Sequence, residues 1–91
     1  MNSYMVVAKF KDGVTPEDIR ALIPAEQAQA NKLKEIGLIG FIKVAMSKRT
    51  VFLEAFGEDE QSVVSSIESL PFFNIWNIEV FLTTPPAGVN F

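Results

Sequence analysis

Residues Thr15–Ile36 (TPEDIRALIPAEQAQANKLKEI) are the longest periodic stretch in this chain, and they limit what it can fold into. Apolar side chains recur at Ile19, Leu22, Ile23, Ala30, Leu33 and Ile36, in steps of three and four that mark one long amphipathic helix. Thr15 suits the N-cap, Pro16 the first helical position, and Asp18 completes a capping signal three residues on. Gly37 suits the left-handed position that ends a helix. Pro24 removes one backbone hydrogen bond and crowds the carbonyl of Arg20, which predicts a kink or short break near Ile23-Pro24. One side chain on the apolar stripe is out of character. At 100° per residue Glu26 falls within about 20° of Ile19 and about 40° of Ala30, in the middle of the face meant for burial. A carboxylate there must find a partner, stay protonated, or line a cavity.

The remaining segments fix the order of elements. Ser3–Phe10 reads as a first strand, Ile39–Ala45 as a second and Thr50–Phe56 as a third, the last two close enough for a hairpin. Asp59 is the expected cap of a second helix, with Val63, Val64, Ile67 and Leu70 as its stripe and Pro71 as its stop. An apolar crossing loop, Phe72–Ile75, leads to a fourth strand, Trp76–Leu82, and Thr83–Phe91 is an extended tail. Residues 1–91 thus form a single domain of order βαββαβ. This is the α+β, ferredoxin-like arrangement, a four-stranded antiparallel sheet with two helices on one face. The strands are apolar on both faces: Met5 and Val7 alternate with Tyr4, Val6 and Ala8, and Phe52 and Phe56 with Val51, Leu53 and Ala55. A solvated face would alternate with polar residues, so the uncovered face predicts a homodimer through the sheet.

Composition removes several kinds of chemistry. With no Cys and no His, thiolate nucleophiles, disulfides, His-based catalysis, His-ligated haem and the common zinc sites are excluded. Proton chemistry is left to Glu, Asp, Lys or Tyr. A net charge of −3, with no basic cluster beyond Lys48-Arg49, argues against a nucleic-acid surface. No apolar run approaches a membrane span and no leader-like region opens the chain, so a cytoplasmic protein without a membrane partner is expected.

At Leu70–Val80 (LPFFNIWNIEV) the chain resembles muconolactone isomerase and its relatives, with Lys9, Pro16, Glu26, Leu33 and Gly37 at corresponding spacings. The resemblance implies the dimeric α+β barrel superfamily, often with higher assembly of dimers. It also implies a cofactor-independent isomerase that shifts a double bond in a small lactone or carbonyl compound, in the setting of aromatic compound catabolism. No metal and no organic cofactor is implied, and the pocket is expected between sheet and helices, where Glu26 points. This chain has Gly40-Phe41-Ile42-Lys43-Val44 where the family's second strand carries Arg and aromatic residues followed by His. It has Asn77 in place of Asp, and Asn74 in place of Pro.

Glu26 is the candidate general base, and Lys43, in apparent phase with Ile39, Phe41 and Ala45, the candidate oxyanion stabiliser. Tyr4, Phe41, Phe73 and Trp76 are candidate substrate-binding residues, with Phe72 a further aromatic of the same kind. Lys9, Lys43, Glu54 and Glu79 also invite a plainer reading as cross-strand ion pairs. Two other functions fit the same fold: a non-catalytic small-ligand-binding or assembly protein, and a cofactor-free monooxygenase. The tail from Pro85 to Phe91 is a candidate to cross onto a neighbouring subunit.

Overall fold

The computed structural model describes residues 1–86; the end of the expected tail, residues 87–91, lies outside the described residues. Strands β1 (Asn2–Phe10), β2 (Ile39–Ala45), β3 (Thr50–Gly57) and β4 (Trp76–Thr83) and helices α1 (Pro16–Glu35) and α2 (Glu60–Glu68) follow in the order βαββαβ. The strands form one antiparallel sheet of order β2-β3-β1-β4. This is the ferredoxin-like α+β arrangement expected from the sequence.

Local chemistry sets the helix bounds. Asp18 N–H donates to Thr15 Oγ1 at 3.2 Å while Thr15 N–H donates to Asp18 Oδ2 at 2.9 Å, a reciprocal capping box. Gly37 ends α1 at φ 78°, a left-handed angle that costs glycine little. Between these ends the helix runs through Pro24 without the expected break. Asp59 caps α2, its Oδ1 accepting from Ser62 N–H at 2.8 Å and from Ser62 Oγ–H at 2.7 Å. These bonds hold the Asp59 carboxyl below its ordinary pKa. The expected crossing loop is a 3-10 turn, Pro71–Ile75.

The core lies between the helices and one sheet face. Val6, Leu53, Val63, Ile67 and Leu70 are almost wholly excluded from solvent. Ile36 departs from the expected stripe: it is the C-cap of α1 and stands 67% exposed.

Strand β2 holds the main surprise. Its partners on β3 step from Ala55 to Leu53 while β2 steps from Ile39 to Ile42, so β2 carries one extra residue, a bulge at Gly40-Phe41. Ile39 and Ile42 therefore share the helix-facing side, and the apparent phase Ile39–Phe41–Lys43–Ala45 is broken. A Cβ on residue 40 would meet the Glu54 carboxylate, so glycine leaves Glu54 room to lie across the bulge.

Pairing also defines the uncovered face. Lys43, Phe52, Val7 and Glu79 form one row across it, with Glu54, Met5 and Phe81 in a neighbouring row. Phe81 is 47% exposed there. The expected Lys–Glu pairs are not directly opposed: Lys43 faces Phe52, Glu79 faces Val7, and Lys9 faces Thr50 and Asn77. Among the described residues, no helix is long and apolar enough to cross a membrane.

Candidate functional site

Glu26 lies where the helical periodicity puts it, on the buried face of α1, 8% exposed. Its Oε1 accepts a hydrogen bond from the backbone N–H of Phe72 at 2.9 Å. That donor is available because Pro71 opens a 3-10 turn, whose first N–H groups have no partner within the turn. Burial raises the Glu26 pKa above its ordinary value of 4.5, and the Phe72 bond opposes part of that rise.

The carboxyl lines a cavity of about 270 Å³ between α1 and the sheet. Ile23 and Ala30 of α1 form its roof, Ile42, Val51 and Leu53 its floor, and Phe72 and Trp76 its end wall. Phe72 meets Trp76 and Phe10 nearly edge-on, with ring centroids 5.5 and 5.6 Å apart, which stiffens that wall. Among the described residues that line it, Glu26, Gln27 and Trp76 carry side-chain polar atoms. The Trp76 indole Nε1 is buried and has no hydrogen-bond partner among the described residues. A buried, unpaired donor is uncommon, and this one is closed off from solvent although the Trp76 ring belongs to the cavity wall.

A second chamber of about 530 Å³ adjoins the first, and Ile23, Val44, Val51 and Phe72 line both. The first is the inner chamber, at Glu26; the second is the outer chamber, bounded by Pro16, Ile19 and Arg20 of α1 and by Met46 and Arg49 of the β2–β3 connector.

The structure brings Glu26 and Trp76 together and sets the other candidates apart. Lys43 projects from the uncovered sheet face, its ammonium 5.6 Å from the Phe41 ring centroid, because Ile42 and Val44 beside it take the cleft side. The bulge is the reason: it changes the phase on which the pairing of Lys43 with Glu26 was argued. Phe41 lies with Lys43. Tyr4 is buried in the core beyond Val6, the partner of Leu53, and does not line the cavity. Phe73 packs against the core without lining the cavity. Gln27 and the Phe72 N–H are contributions that residue-type reasoning passes over. Gln27 follows Glu26 directly, and a proline-led turn beside an aromatic pair is the only sequence trace of the Phe72 donor.

The hydrogen bond to Glu26 separates two substitutions. Glu26→Gln keeps an acceptor for Phe72 N–H, whereas Glu26→Leu leaves that buried donor unpaired. Urea denaturation at neutral pH is expected to show Glu26→Leu less stable than Glu26→Gln by about 1–3 kcal/mol; equal stabilities would mean that the bond does not hold the turn. Among the described residues no group of three or more His, Cys, Asp or Glu is placed to hold a metal ion. No protein-family model matches the chain, and no curated protein matches it.

Proposed function

We propose that the protein is a cofactor-independent proton-transfer enzyme, an isomerase that moves a double bond in a small carbonyl or lactone compound. The observation that carries this reading is a buried carboxyl with raised pKa, lining an apolar cavity and hydrogen-bonded there to a single backbone N–H. Ionised Glu26 takes a proton from the carbon next to the carbonyl, and the electron pair moves into the conjugated system as a dienolate. The resulting carboxylic acid returns the proton at the far carbon, which completes the allylic shift with no net change in protons or electrons. Negative charge on the dienolate oxygen needs a donor within the cavity. The Gln27 side-chain amide is the lining group able to supply one. This reading gives the oxyanion role to Gln27 in place of Lys43.

The test is a panel of β,γ-unsaturated lactones and ketones incubated with the protein in deuterium oxide. Absorbance follows formation of the conjugated product, and NMR follows deuterium entering the carbon skeleton. Conversion with deuterium gain is expected, because an acid proton on Glu26 exchanges with solvent during the transfer. Binding of these compounds without conversion or exchange would leave a ligand-binding protein, the alternative that the same fold allows. The protein is further proposed to act as a homodimer joined through the uncovered sheet face, where Met5, Val7, Phe52, Phe56 and Phe81 otherwise meet water.

A further inference from the structure

The chain has only two arginines, Arg20 and Arg49, and both line the outer chamber of the cleft. They come from distant parts of the sequence, one from α1 and the other from the β2–β3 connector. Among the described residues no acidic side chain lines that chamber, although the protein as a whole is acidic. The other walls are apolar apart from Thr50, with Phe10, Ile19, Val44 and Met46 among them.

Arg49 is held in place. Its Nη2 donates to the carbonyls of Val14 at 3.0 Å and Lys11 at 3.2 Å. A guanidinium has five N–H donors, so three remain beyond these two bonds, on Nε and Nη1. The backbone of Arg49 is left-handed, φ 50°, where a side chain other than glycine costs about 1 kcal/mol or more. A glycine there would turn the connector with less strain, so the guanidinium is the reason to look for a use. Arg20 stands across the chamber with no such tie to the loop.

We propose that the two arginines bind the carboxylate of an elongated, otherwise apolar organic acid, whose far end reaches Glu26 in the inner chamber. Paired guanidinium groups over apolar walls suit a carboxylate: each presents a planar fork, and the body of the ligand excludes water from the contact. The length follows from the helix. Arg20 and Glu26 are six residues apart on α1, a rise of about 9 Å. This matches a medium-length alkyl chain or a fused two-ring skeleton, and is longer than a single small lactone. The inference rests on the reading of the cleft as a ligand site. It does not depend on proton transfer at Glu26.

Octanoate and octan-1-ol share a chain and differ in charge, which makes them suitable probes. The chain's one tryptophan, Trp76, lines the inner chamber, so its indole N–H signal in a ¹H–¹⁵N spectrum reports arrival of the chain end. Octanoate is expected to bind about tenfold or more tightly than octan-1-ol, as a charge-assisted bond implies. Arg20→Met should narrow that ratio, and the double substitution Arg20→Met/Arg49→Met should bring it near one. Arg20→Met alone serves if loss of the Arg49 loop bonds unfolds the protein. Glu26→Gln should retain the preference for octanoate, so a failure of the proton-transfer reading and a failure of the anion site give different results. Equal binding of the two probes by the wild type, or a preference unchanged by Arg20→Met and by the double substitution, would overturn the proposal.

Discussion

Glu26→Gln is expected to lower turnover of any substrate the wild type isomerises by about 10²–10⁴-fold, while the fold survives. Gln fills the same volume and keeps an acceptor for Phe72 N–H, so the loss would report the missing proton carrier and not a collapsed cavity. In the wild type, turnover should rise with pH as Glu26 ionises, with a midpoint above 4.5 because burial raises the pKa. The same shift makes a stability prediction with a definite sign. Below the unfolded-state pKa, near 4.5, the carboxyl is neutral in both states and the shift has no effect. Between that value and the raised folded pKa, the folded protein binds more protons than the unfolded chain, so wild-type stability falls as pH rises. Above the folded pKa the penalty is complete and constant. Glu26→Gln removes it, so the variant should gain on the wild type as pH rises toward neutrality, and the gap should close below about pH 4.5. Thermal melts are sensitive enough, since about 1 kcal/mol is worth about 4–8 °C in a domain of this size. A Tm difference that stays flat from pH 4 to 8 would show that Glu26 titrates as a solvated acid, and unchanged turnover would end the catalytic assignment.

Lys43→Glu is expected to break the proposed dimer, and adding Glu79→Lys to restore it. The row Lys43–Phe52–Val7–Glu79 runs from the β2 edge of the sheet to the β4 edge. A two-fold axis between the sheets and parallel to the strands reverses strand order, laying β2 of one copy over β4 of the other with rows in line. Lys43 then meets Glu79 of the second copy, and Phe52 meets its Val7. Each ion pair occurs twice by symmetry. Like charges brought together at an interface cost several kcal/mol, so Lys43→Glu alone should raise the dimer dissociation constant by about 100-fold or more. The double reversal should recover most of that loss. Sedimentation velocity across a concentration series measures it. A monomeric wild type would remove the dimer, and a dimer indifferent to either reversal would place its interface elsewhere.

The helix bounds were legible because their signals are local: Thr15 and Asp18 cap each other, and Gly37 needs its left-handed angle. Burial of Glu26 was legible because α1 holds its period through Pro24, so arithmetic along the helix survives folding. The side of the sheet taken by Lys43 was not, because one extra residue in β2 inverts the phase beyond it, and a bulge is set by pairing with β3 rather than by β2 alone. The Phe72 donor was hidden for a related reason. A backbone N–H has no residue identity, and its presence beside Glu26 depends on a turn 46 positions away in the chain. The arginines are conspicuous in composition, yet only the packing of α1 against the β2–β3 connector puts them in one chamber.

Strand order has a consequence for how the chain comes off the ribosome. Of the four strands β1 is synthesised first, yet it lies inside the sheet, and its β4 flank is filled by pairings from Phe10 with Trp76 to Ser3 with Thr83. Until β4 emerges, a row of unpaired N–H and C=O groups and the apolar side chains of β1 remain open on one side. The partial sheet β2-β3-β1 is then a template for any passing strand, including β4 from another copy. Completion of the fold is therefore a late event that waits on distant contacts, and crowded synthesis favours exchange of β4 between neighbouring chains.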